Sequence, residues 1–398
     1  MTTDFSKTRD LFHIPEGMIY LDGNSLGPLP KAAKARVASM MADEWGELLI
    51  TGWNKAAWMA QANTLGDMIA PLIGAPAGSV TIGDTLTIKV YQALAAALEL
   101  NPNRKVVLSD NGNFPADLYM ARGLIDSLKQ GHELRVVNPE DVAANIGPDV
   151  AVLMLTEVDY RTGRKHDMAA LSKAAHDAGA VVMWDLAHSA GALPVDIAGC
   201  NAEFAVGCTY KYLNGGPGAP AFIYVRPDLA NTVRPALSGW LGHAAPFDFD
   251  LDYRPAAGIS RMRIGTPPVI QMAALETALA AWQGVDMNDL RAQSIALADL
   301  FIAEVERQCP DLTLASPRNG AERGSQVSFA YENGFATMQA LIARGVIGDF
   351  RAPDKMRFGF APLYNTADEV RRAAAILAEI LQTRAWDKPE FKQRGAVT

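Results

Sequence analysis

Six short apolar runs, separated by amphipathic stretches, constrain the fold of this chain most strongly. The runs cover residues 105–109, 134–137, 150–156, 180–185, 204–209 and 221–225, and helical stretches such as 168–177 lie between them. Apolar residues that continue without alternation indicate strands buried on both faces, as in a parallel sheet covered by helices. The pattern predicts an α/β fold with a mainly parallel sheet, whose ligands bind beyond the carboxyl ends of the strands.

The character of the chain changes after Pro267 and Pro268. Helices dominate from there, at 271–282, 290–309 and about 367–386, with short strands among them. Thr366 and Glu369 have the spacing of a capping box, which predicts the start of the last helix. We predict a large domain over 51–270 and a smaller α+β domain over 271–398. An N-terminal arm over 1–50, with a helix at 31–50, is expected to pack with the small domain.

Composition and charge argue against several classes of protein. The 398 residues include 36 Lys and Arg against 44 Asp and Glu, and a net charge of −8 argues against binding nucleic acid. Three cysteines are too few for a disulfide framework, and no HExxH pair suggests a metal site. Residues 1–15 lack the apolar core of a signal peptide, and no run of about 18 apolar residues predicts a membrane span. We expect a cytoplasmic enzyme.

Lys211 is the most informative residue. It follows an apolar strand within Gly-Cys-Thr-Tyr-Lys-Tyr-Leu-Asn, residues 207–214, and a glycine-rich turn comes next. A desolvated lysine amine can lose its proton and condense with an aldehyde. On spacing alone, a solvated lysine at a strand end is an equally good interpretation. No GxGxxG or P-loop pattern occurs, which argues against a dinucleotide or ATP enzyme.

Two further segments place polar groups near strand ends. Asp185 ends an apolar run and could hold the nitrogen of a heteroaromatic ring, with His188 three residues on. Alone, these residues are equally typical of a helix cap and an ordinary loop. Leu86 and Thr87 are expected at a helix N-terminus, where free amides and the helix dipole favour a phosphate. A plain helix cap is the commoner interpretation of that second segment.

A ring and another carboxylate, Phe114 and Asp117, follow the strand predicted at 105–109. With Lys211 and Asp185 they supply an amine for an aldehyde, a carboxylate for a pyridine nitrogen and a stacking ring. Together with the phosphate-binding helix, these are the parts of a pyridoxal phosphate site. The gap of 26 residues between Asp185 and Lys211, each ending an apolar strand, is typical of the fold type I, aminotransferase-like arrangement.

Nearly the whole chain resembles the kynureninase family. The resemblance rests on motifs that occur together in this order: YLDGNSLG at 20–27, FPAD at 114–117, DLAH at 185–188, YKYLN at 210–214, GWLGH at 239–243, and Arg357 ahead of APLYN at 361–365. Among them, GWxGH and YKYLN separate this family from the related cysteine desulfurases. The resemblance implies a pyridoxal phosphate-dependent hydrolase that converts L-kynurenine and water to anthranilate and L-alanine, in the kynurenine pathway of tryptophan catabolism and NAD biosynthesis.

The resemblance also implies residue roles. Catalytic roles fall to Lys211, which would bind the cofactor, to Asp185, the partner of its ring nitrogen, and to Tyr210, a proton donor. The cofactor-binding residues that it implies are Leu86, Thr87, Phe114, Pro115, Ala116, Asp117, Thr156, Asp185, His188, Tyr210, Lys211, Trp240 and Thr266. The substrate-binding residues that it implies are Ser25, Trp53, Asn54, His243 and Arg357.

Three of these residues carry further expectations. By resemblance, Arg357 clamps the substrate α-carboxylate, a planar task that suits a guanidinium. Trp240 and Thr266 are expected to reach the cofactor phosphate from the partner subunit, so the resemblance implies a homodimer with shared active sites. The alternatives are a cysteine desulfurase-like lyase, which needs an exposed reactive cysteine, and a cofactor-binding homologue without catalytic activity.

Overall fold

A seven-stranded sheet carries most of the residues to which the sequence analysis assigns chemistry. The structure is a computed structural model that describes residues 3–393; the first two residues of the predicted arm and the last five of the predicted small domain lie outside the described residues. The strands are β1 (Phe12–His13), β2 (Ile19–Tyr20), β3 (Leu29–Pro30), β4 (Val80–Ile82), β5 (Val106–Asp110), β6 (Glu133–Val137), β7 (Val150–Thr156), β8 (Val181–Asp185), β9 (Phe204–Gly207), β10 (Phe222–Val225), β11 (Thr313–Leu314), β12 (Gln326–Ala330), β13 (Val346–Ile347), β14 (Asp349–Arg351) and β15 (Lys355–Gly359).

Five neighbouring strands of this sheet run parallel, in the spatial order β6, β5, β7, β8 and β9. At the β9 edge the sheet continues with β10 and then β4, both antiparallel to their neighbours. Strands β5 to β10 fall on the six predicted apolar runs, with ends that differ by no more than two residues. The predicted fold class, an α/β fold with a mainly parallel sheet, is confirmed.

Side chains cap the N-termini of several helices. The helices are α1 (Phe5–Arg9), α2 (Lys31–Ser39), α3 (Gly52–Lys55), α4 (Trp58–Ile69), α5 (Leu86–Leu100), α6 (Pro115–Leu128), α7 (Val142–Asn145), α8 (Met168–Asp177), α9 (Val269–Ala280), α10 (Met287–Gln308), α11 (Gly334–Ala343), α12 (Ala367–Gln382) and α13 (Pro389–Lys392). The side chains of Thr85, Asp167 and Asp286 accept hydrogen bonds from the first turns of α5, α8 and α10. The predicted capping box, Thr366 with Glu369, starts α12.

The helix predicted over 31–50 is present, but it is not a regular α-helix throughout. Helix α2 ends at Ser39, and a π-helical segment, Met40–Gly46, and a 3-10 turn, Leu49–Thr51, follow it. Glu44 lies 2.8 Å from the guanidinium of Arg36 and accepts a hydrogen bond of 2.8 Å from the indole N–H of Trp58. In a regular α-helix, positions eight apart point about 80° away from each other. The wider π turn lets Glu44 reach Arg36.

The sheet is covered on both faces, which explains its uninterrupted apolar strands. In β8, Val182 and Trp184 belong to a core shared with α4, α8 and α9, whereas Met183 belongs to the core formed with α5 and α6. The indole N–H of Trp184 donates to the hydroxyl of Ser172 at 3.0 Å, so its polar atom is satisfied in the core. Because successive side chains of the strand point to opposite faces and both faces are covered, apolar side chains on both faces are buried.

A second sheet lies in the C-terminal part of the chain, in the order β11, β12, β15 and β14. It packs with α10, α11 and α12 around a separate apolar core. One segment of the N-terminal arm joins this part, because β2 pairs in parallel with β13. Other parts of the predicted arm do not, since Phe12 belongs to the core of the large sheet and α2 packs against α9. Among residues 3–393, no helix combines the length and apolar character needed to cross a bilayer.

Candidate active site

One cavity at the carboxyl edge of the parallel strands gathers most of the predicted cofactor residues. Its lining consists of Leu86, Thr87, Phe114, Ala116, Asp117, Thr156, Tyr160, Asp185, Ala187, His188, Tyr210 and Lys211. Strands β7 and β8 end at Thr156 and Asp185 themselves, and the other lining residues follow strand ends or begin helices. Parallel strands bring their carboxyl ends to one edge, which is how positions distant in sequence come together here.

Lys211 lies beside a neutral imidazole. Its Nζ is 3.0 Å from Nε2 of His188. Burial, and next the positive charge of Lys211, keeps the pKa of His188 well below its usual value. The His188 ring is therefore uncharged at neutral pH. Its other nitrogen, Nδ1, is buried and has no partner among residues 3–393.

Asp185 and Asp117 form a buried pair of carboxyl groups. Burial raises the pKa of each, and the negative charge of Asp185 raises that of Asp117 further. Asp185 Oδ1 accepts a hydrogen bond of 2.8 Å from the amide of Ala187, which favours its ionised form. The pKa of Asp117 is raised further than that of Asp185, so Asp117 is the more readily protonated of the two carboxyl groups. Oδ2 of Asp117 is buried without a partner within the described range.

The N-terminus of α5 faces the same cavity. Leu86 and Thr87 open this 15-residue helix, and the side chain of Thr85 caps the amide of Ile88. The amides of the first turn have no partner within the helix and carry the positive end of its dipole. This part of the cavity is suited to an anion.

Aromatic rings border the cavity near Lys211. The Phe114 ring meets that of Tyr160 edge to face, with 5.1 Å between their centroids, and Lys211 Nζ lies 5.9 Å from the Phe114 centroid. Burial, and next the neighbouring Cys208, raises the pKa of Tyr210 above its usual value. Tyr210 therefore keeps its hydroxyl proton throughout the neutral pH range.

The N-terminal arm contacts the lysine loop through a glycine. The amide of Gly27 donates to the carbonyl of Tyr210 at 2.8 Å. A Cβ at Gly27 would lie 2.5 Å from the carbonyl oxygen of Lys211 and 2.3 Å from Oδ1 of Asn214, closer than real atoms approach. The motif at 20–27 and the motif at 210–214 are therefore in direct backbone contact, and this contact requires glycine.

Arg357 lies beside the cavity rather than in its lining. Its side chain is buried, and its Nη1 donates to the carbonyl of Tyr160, a lining residue. Its Nη2 donates to Oγ of Ser25 at 2.9 Å. The structure thus brings together Ser25 and Arg357, two residues predicted to bind substrate, next to the predicted cofactor site.

The remaining predicted residues lie elsewhere. Trp53, Asn54 and Trp240 line a separate cavity, together with Ile50, Met59 and Phe247. His243 is held by its own loop, since its Nδ1 accepts from the amide of Ala245 at 3.0 Å and its Nε2 is 3.3 Å from the carbonyl of Asp252. Thr266 is exposed, and Pro115 is the first residue of α6 without being part of the cavity lining.

Sequence reasoning missed Asp349 and Tyr160. Asp349 binds the guanidinium of Arg357, and Tyr160 supplies both a ring and a carbonyl at the cavity. Asp349 stands directly opposite Arg357 in the pair formed by β14 and β15. They lie eight positions apart in a region without clear strand periodicity, so the sequence held no signal for this pairing.

The three cysteines do not match a reactive thiol. Cys208 and Cys309 are buried, and Cys200 is partly buried. Burial raises the pKa of Cys200 and of Cys309 to about 11, which keeps both in the thiol form. Among the described residues, no group of three or more His, Cys, Asp or Glu side chains is arranged to hold a metal ion.

Solved structures define the class of this fold. The chain is similar to a cysteine desulfurase from Thermococcus onnurineus NA1, with a TM-score of 0.81 and 18% identity over 96% of this chain and 100% of that one. It is also similar to a C-DES mutant with glycine covalently linked to its PLP cofactor, with a TM-score of 0.78 and 18% identity over 95% of this chain and all of the other. The fold is that of the fold type I pyridoxal phosphate enzymes.

Relatives in sequence narrow the class to one family. A kynureninase from Pseudomonas fluorescens is 50% identical over 397 residues, which cover 98% of this chain and 95% of the relative. A kynureninase from Burkholderia pseudomallei is 49% identical with the same coverage. The model of the kynureninase C-terminal domain matches residues 290–377. The chain belongs to the kynureninase family.

Proposed function

We propose that this protein is a kynureninase, a pyridoxal phosphate-dependent hydrolase that converts L-kynurenine and water to anthranilate and L-alanine by Cβ–Cγ cleavage. The observation that carries the proposal is one cavity, in which an amine, a buried carboxylate pair and a helix N-terminus meet, in a chain half identical to kynureninases. An enzyme of this family needs each of those groups for its cofactor.

The cavity suits pyridoxal phosphate at three points. Lys211 offers an amine for the aldehyde, and the N-terminus of α5 offers amides and the Thr87 hydroxyl for the phosphate. Asp117 Oδ2 and His188 Nδ1 are buried polar atoms without partners among residues 3–393, and a polar ring in the cavity would give them partners. Phe114, with 42% of its surface exposed, has a free face for the ring.

We assign a different role in the reaction to each of the residues around Lys211. The bound cofactor would supply an electron sink for the substrate carbon atoms. Asp185, whose ionised form is favoured by the hydrogen bond from the Ala187 amide, would keep the ring nitrogen protonated. Lys211 would take the proton from the substrate Cα, with the neutral His188 accepting a hydrogen bond from its amine. Tyr210 keeps its proton, and we assign to it the protonation of the substrate Cβ, which becomes the methyl group of alanine.

A homodimer with shared active sites is part of the proposal. Around the cavity that holds Trp53 and Trp240, four large apolar side chains are exposed: Ile50, Phe247, Phe249 and Leu251. Exposed apolar patches of this kind are typical of interfaces between subunits. We propose that Trp240 and Thr266 meet the partner's cofactor across this surface.

We also propose that the chain divides into a large and a small domain and that the protein is cytoplasmic. The separate apolar core formed by α10, α11, α12 and the second sheet supports a small C-terminal domain, to which β2 of the arm adds. Helix α9, which the predicted range 271–398 includes, packs instead in the core of the large sheet. Free cysteines suit a reducing compartment, in line with a cytoplasmic enzyme.

The test is an assay of the purified protein with pyridoxal phosphate and L-kynurenine. We expect a visible absorbance band that changes when substrate is added, followed by anthranilate fluorescence and stoichiometric L-alanine. Release of sulfur from L-cysteine without anthranilate would instead identify a desulfurase. Cofactor binding with neither product would identify a homologue without catalytic activity, and either result would contradict the proposal.

A further inference from the structure

The buried side chain of Asp349 forms a two-bond ion pair with Arg357, the residue that we expect to bind the substrate α-carboxylate. Nε of Arg357 donates to Oδ1 of Asp349 at 2.6 Å, and Nη2 of Arg357 donates to Oδ2. Each side chain is about 1% exposed. Asp349 and Arg357 stand directly opposite each other in the pair formed by β14 and β15, so the register of the sheet fixes the geometry of these two hydrogen bonds.

The other contacts of Arg357 leave one end of its guanidinium available. Nη2 also donates to Ser25 Oγ, and Nη1 donates to the Tyr160 carbonyl. A guanidinium has five N–H groups, of which four therefore have acceptors. The fifth, on Nη1, has none among residues 3–393. It lies at the end next to Tyr160, and hence next to the cavity.

A second arginine gives the cluster an excess of positive charge. Nη2 of Arg351 lies 2.8 Å from Oδ2 of Asp349, and the Arg351 side chain is partly exposed. Burial raises the pKa of Asp349, but the hydrogen bond and charge of Arg357 and the charge of Arg351 outweigh it, so that the net shift is downward. One ionised carboxylate thus faces two guanidinium groups. A partly buried excess charge of this kind is stabilised by an anion.

We infer that Asp349 is a positioning residue for the substrate α-carboxylate. It occupies the Nε–Nη2 edge of Arg357 and aligns Arg351, so that an α-amino acid presents its carboxylate to the free Nη1 end. The inference rests on the proposed function, because it takes L-kynurenine as the substrate. The inference differs from the sequence expectation in one respect. Asp349 and Ser25 occupy Nε and Nη2 of Arg357, so the substrate carboxylate binds at Nη1.

The first experiment compares D349N with wild type in the cofactor-loaded enzyme. Asparagine keeps the shape of Asp349 but offers one acceptor and no charge, so Arg357 is free to turn. We expect KM for L-kynurenine and Kd for L-alanine, read from the visible absorbance, to rise about 10- to 100-fold. We expect kcat and the inhibition constant of kynuramine, which lacks the α-carboxylate, to change by less than about threefold. D354N, in the same hairpin and paired with Lys355, is the matched control and should match wild type.

A double-mutant cycle separates positioning from general structural damage. If Asp349 acts through Arg357, D349N should add little to the KM of R357K, whereas independent effects would multiply. S25A, which removes a smaller contact to both residues, should raise KM several-fold and covers the case in which D349N does not fold. Unchanged L-alanine affinity in both D349N and S25A, or equal weakening of kynuramine, would overturn the inference. Wild-type protein that binds L-alanine but releases no anthranilate would overturn the proposed function alone.

Discussion

At the scale of single residues, burial sets the protonation states around Lys211. It is the largest influence on the pKa of His188, of Asp117 and of Asp185. Surroundings of low polarity disfavour charged forms, so burial lowers the pKa of the imidazole and raises those of the carboxyl groups. The result is a neutral His188 beside the Lys211 amine and a carboxyl pair in which Asp117 is the more readily protonated group.

Replacing Lys211 by alanine should abolish turnover while the protein stays folded. The substitution removes the amine to which we assign cofactor binding and transfer of the Cα proton, and loss of such a group costs about a hundredfold to ten-thousandfold in rate. Anthranilate fluorescence measures the rate, and borohydride reduction followed by mass spectrometry should label wild type and not the variant. K173A, at an exposed lysine of α8, serves as the control. Activity of K211A near that of wild type would refute the assignment.

Asp22 should make substrate binding weaker in alkaline solution. Burial, and next the charge of Asp349, raises the pKa of Asp22 to about 8, with Arg357 and Arg351 opposing the shift. Below that pH the group is neutral, and above it a new negative charge stands near Arg357. The KM for L-kynurenine should therefore rise about 3- to 10-fold as the pH passes through about 8, while kcat changes less.

The variant D22N provides the control for this pH dependence. It cannot ionise, so its KM should stay flat over the same range. Tyr20, which also interacts with Asp22, has its own pKa raised by burial and does not titrate there. A rise in KM of the same size in D22N would assign the effect to another group, such as the substrate amine.

At the scale of elements, capping and strand patterning decide where the backbone turns. Thr366 and Glu369 satisfy each other's backbone amides at the start of α12, which packs against α10 in the small apolar core. Because the first amides of a helix have no partner within it, such a cap stabilises the helix and the core behind it.

Replacing Thr366 by alanine should lower the free energy of unfolding by about 1 kcal/mol. The change removes the acceptor of the Glu369 amide and leaves the apolar face of α12 intact. The midpoint of urea unfolding at saturating cofactor measures the effect. T383A, at the exposed C-terminal end of the same helix, removes only a hydroxyl bonded to a carbonyl and should shift stability by less than about 0.5 kcal/mol. Equal shifts in the two variants would count against the cap.

Local signals predicted the elements well, and nonlocal contacts limited the rest. The apolar runs located β5 to β10 because burial on both faces needs continuous apolar residues, and the Thr366–Glu369 spacing located α12. Strand β4, three residues long, was too short to give a pattern. The contacts of Glu44 with Arg36 and Trp58 depend on the π-helical segment, and the ion pair of Asp349 with Arg357 depends on strand pairing. Neither contact has a periodicity to detect.

At the scale of the whole molecule, the proposed shared site predicts complementation between inactive variants. In a hybrid of K211A and W240A, one site carries both substitutions and the other carries neither. After full exchange of subunits, half of the dimers are hybrids and half of the sites in each hybrid are intact, so about a quarter of wild-type activity should return. Anthranilate formation after mixing measures it.

Hybrids of K211A with D185N are the control for complementation. Both residues line the same cavity of one chain, so every site in the hybrid keeps one defect and activity should not return. If K211A and W240A also fail to complement while mixed-mass dimers are seen by native mass spectrometry, Trp240 does not act across the interface.

The pairing of β2 with β13 has a consequence for how the chain is made. Ser25 and Arg357 are 332 positions apart, and Ile19 and Leu21 of the arm are buried in the C-terminal core. On the ribosome, at about 5–20 residues per second, the arm emerges roughly 15 to 70 seconds before its partner strand exists. During that interval an apolar segment with unpaired backbone groups is open to neighbouring nascent chains. The yield of active protein in a cell should therefore depend on chaperone supply and translation speed, more than on the stability of the finished fold.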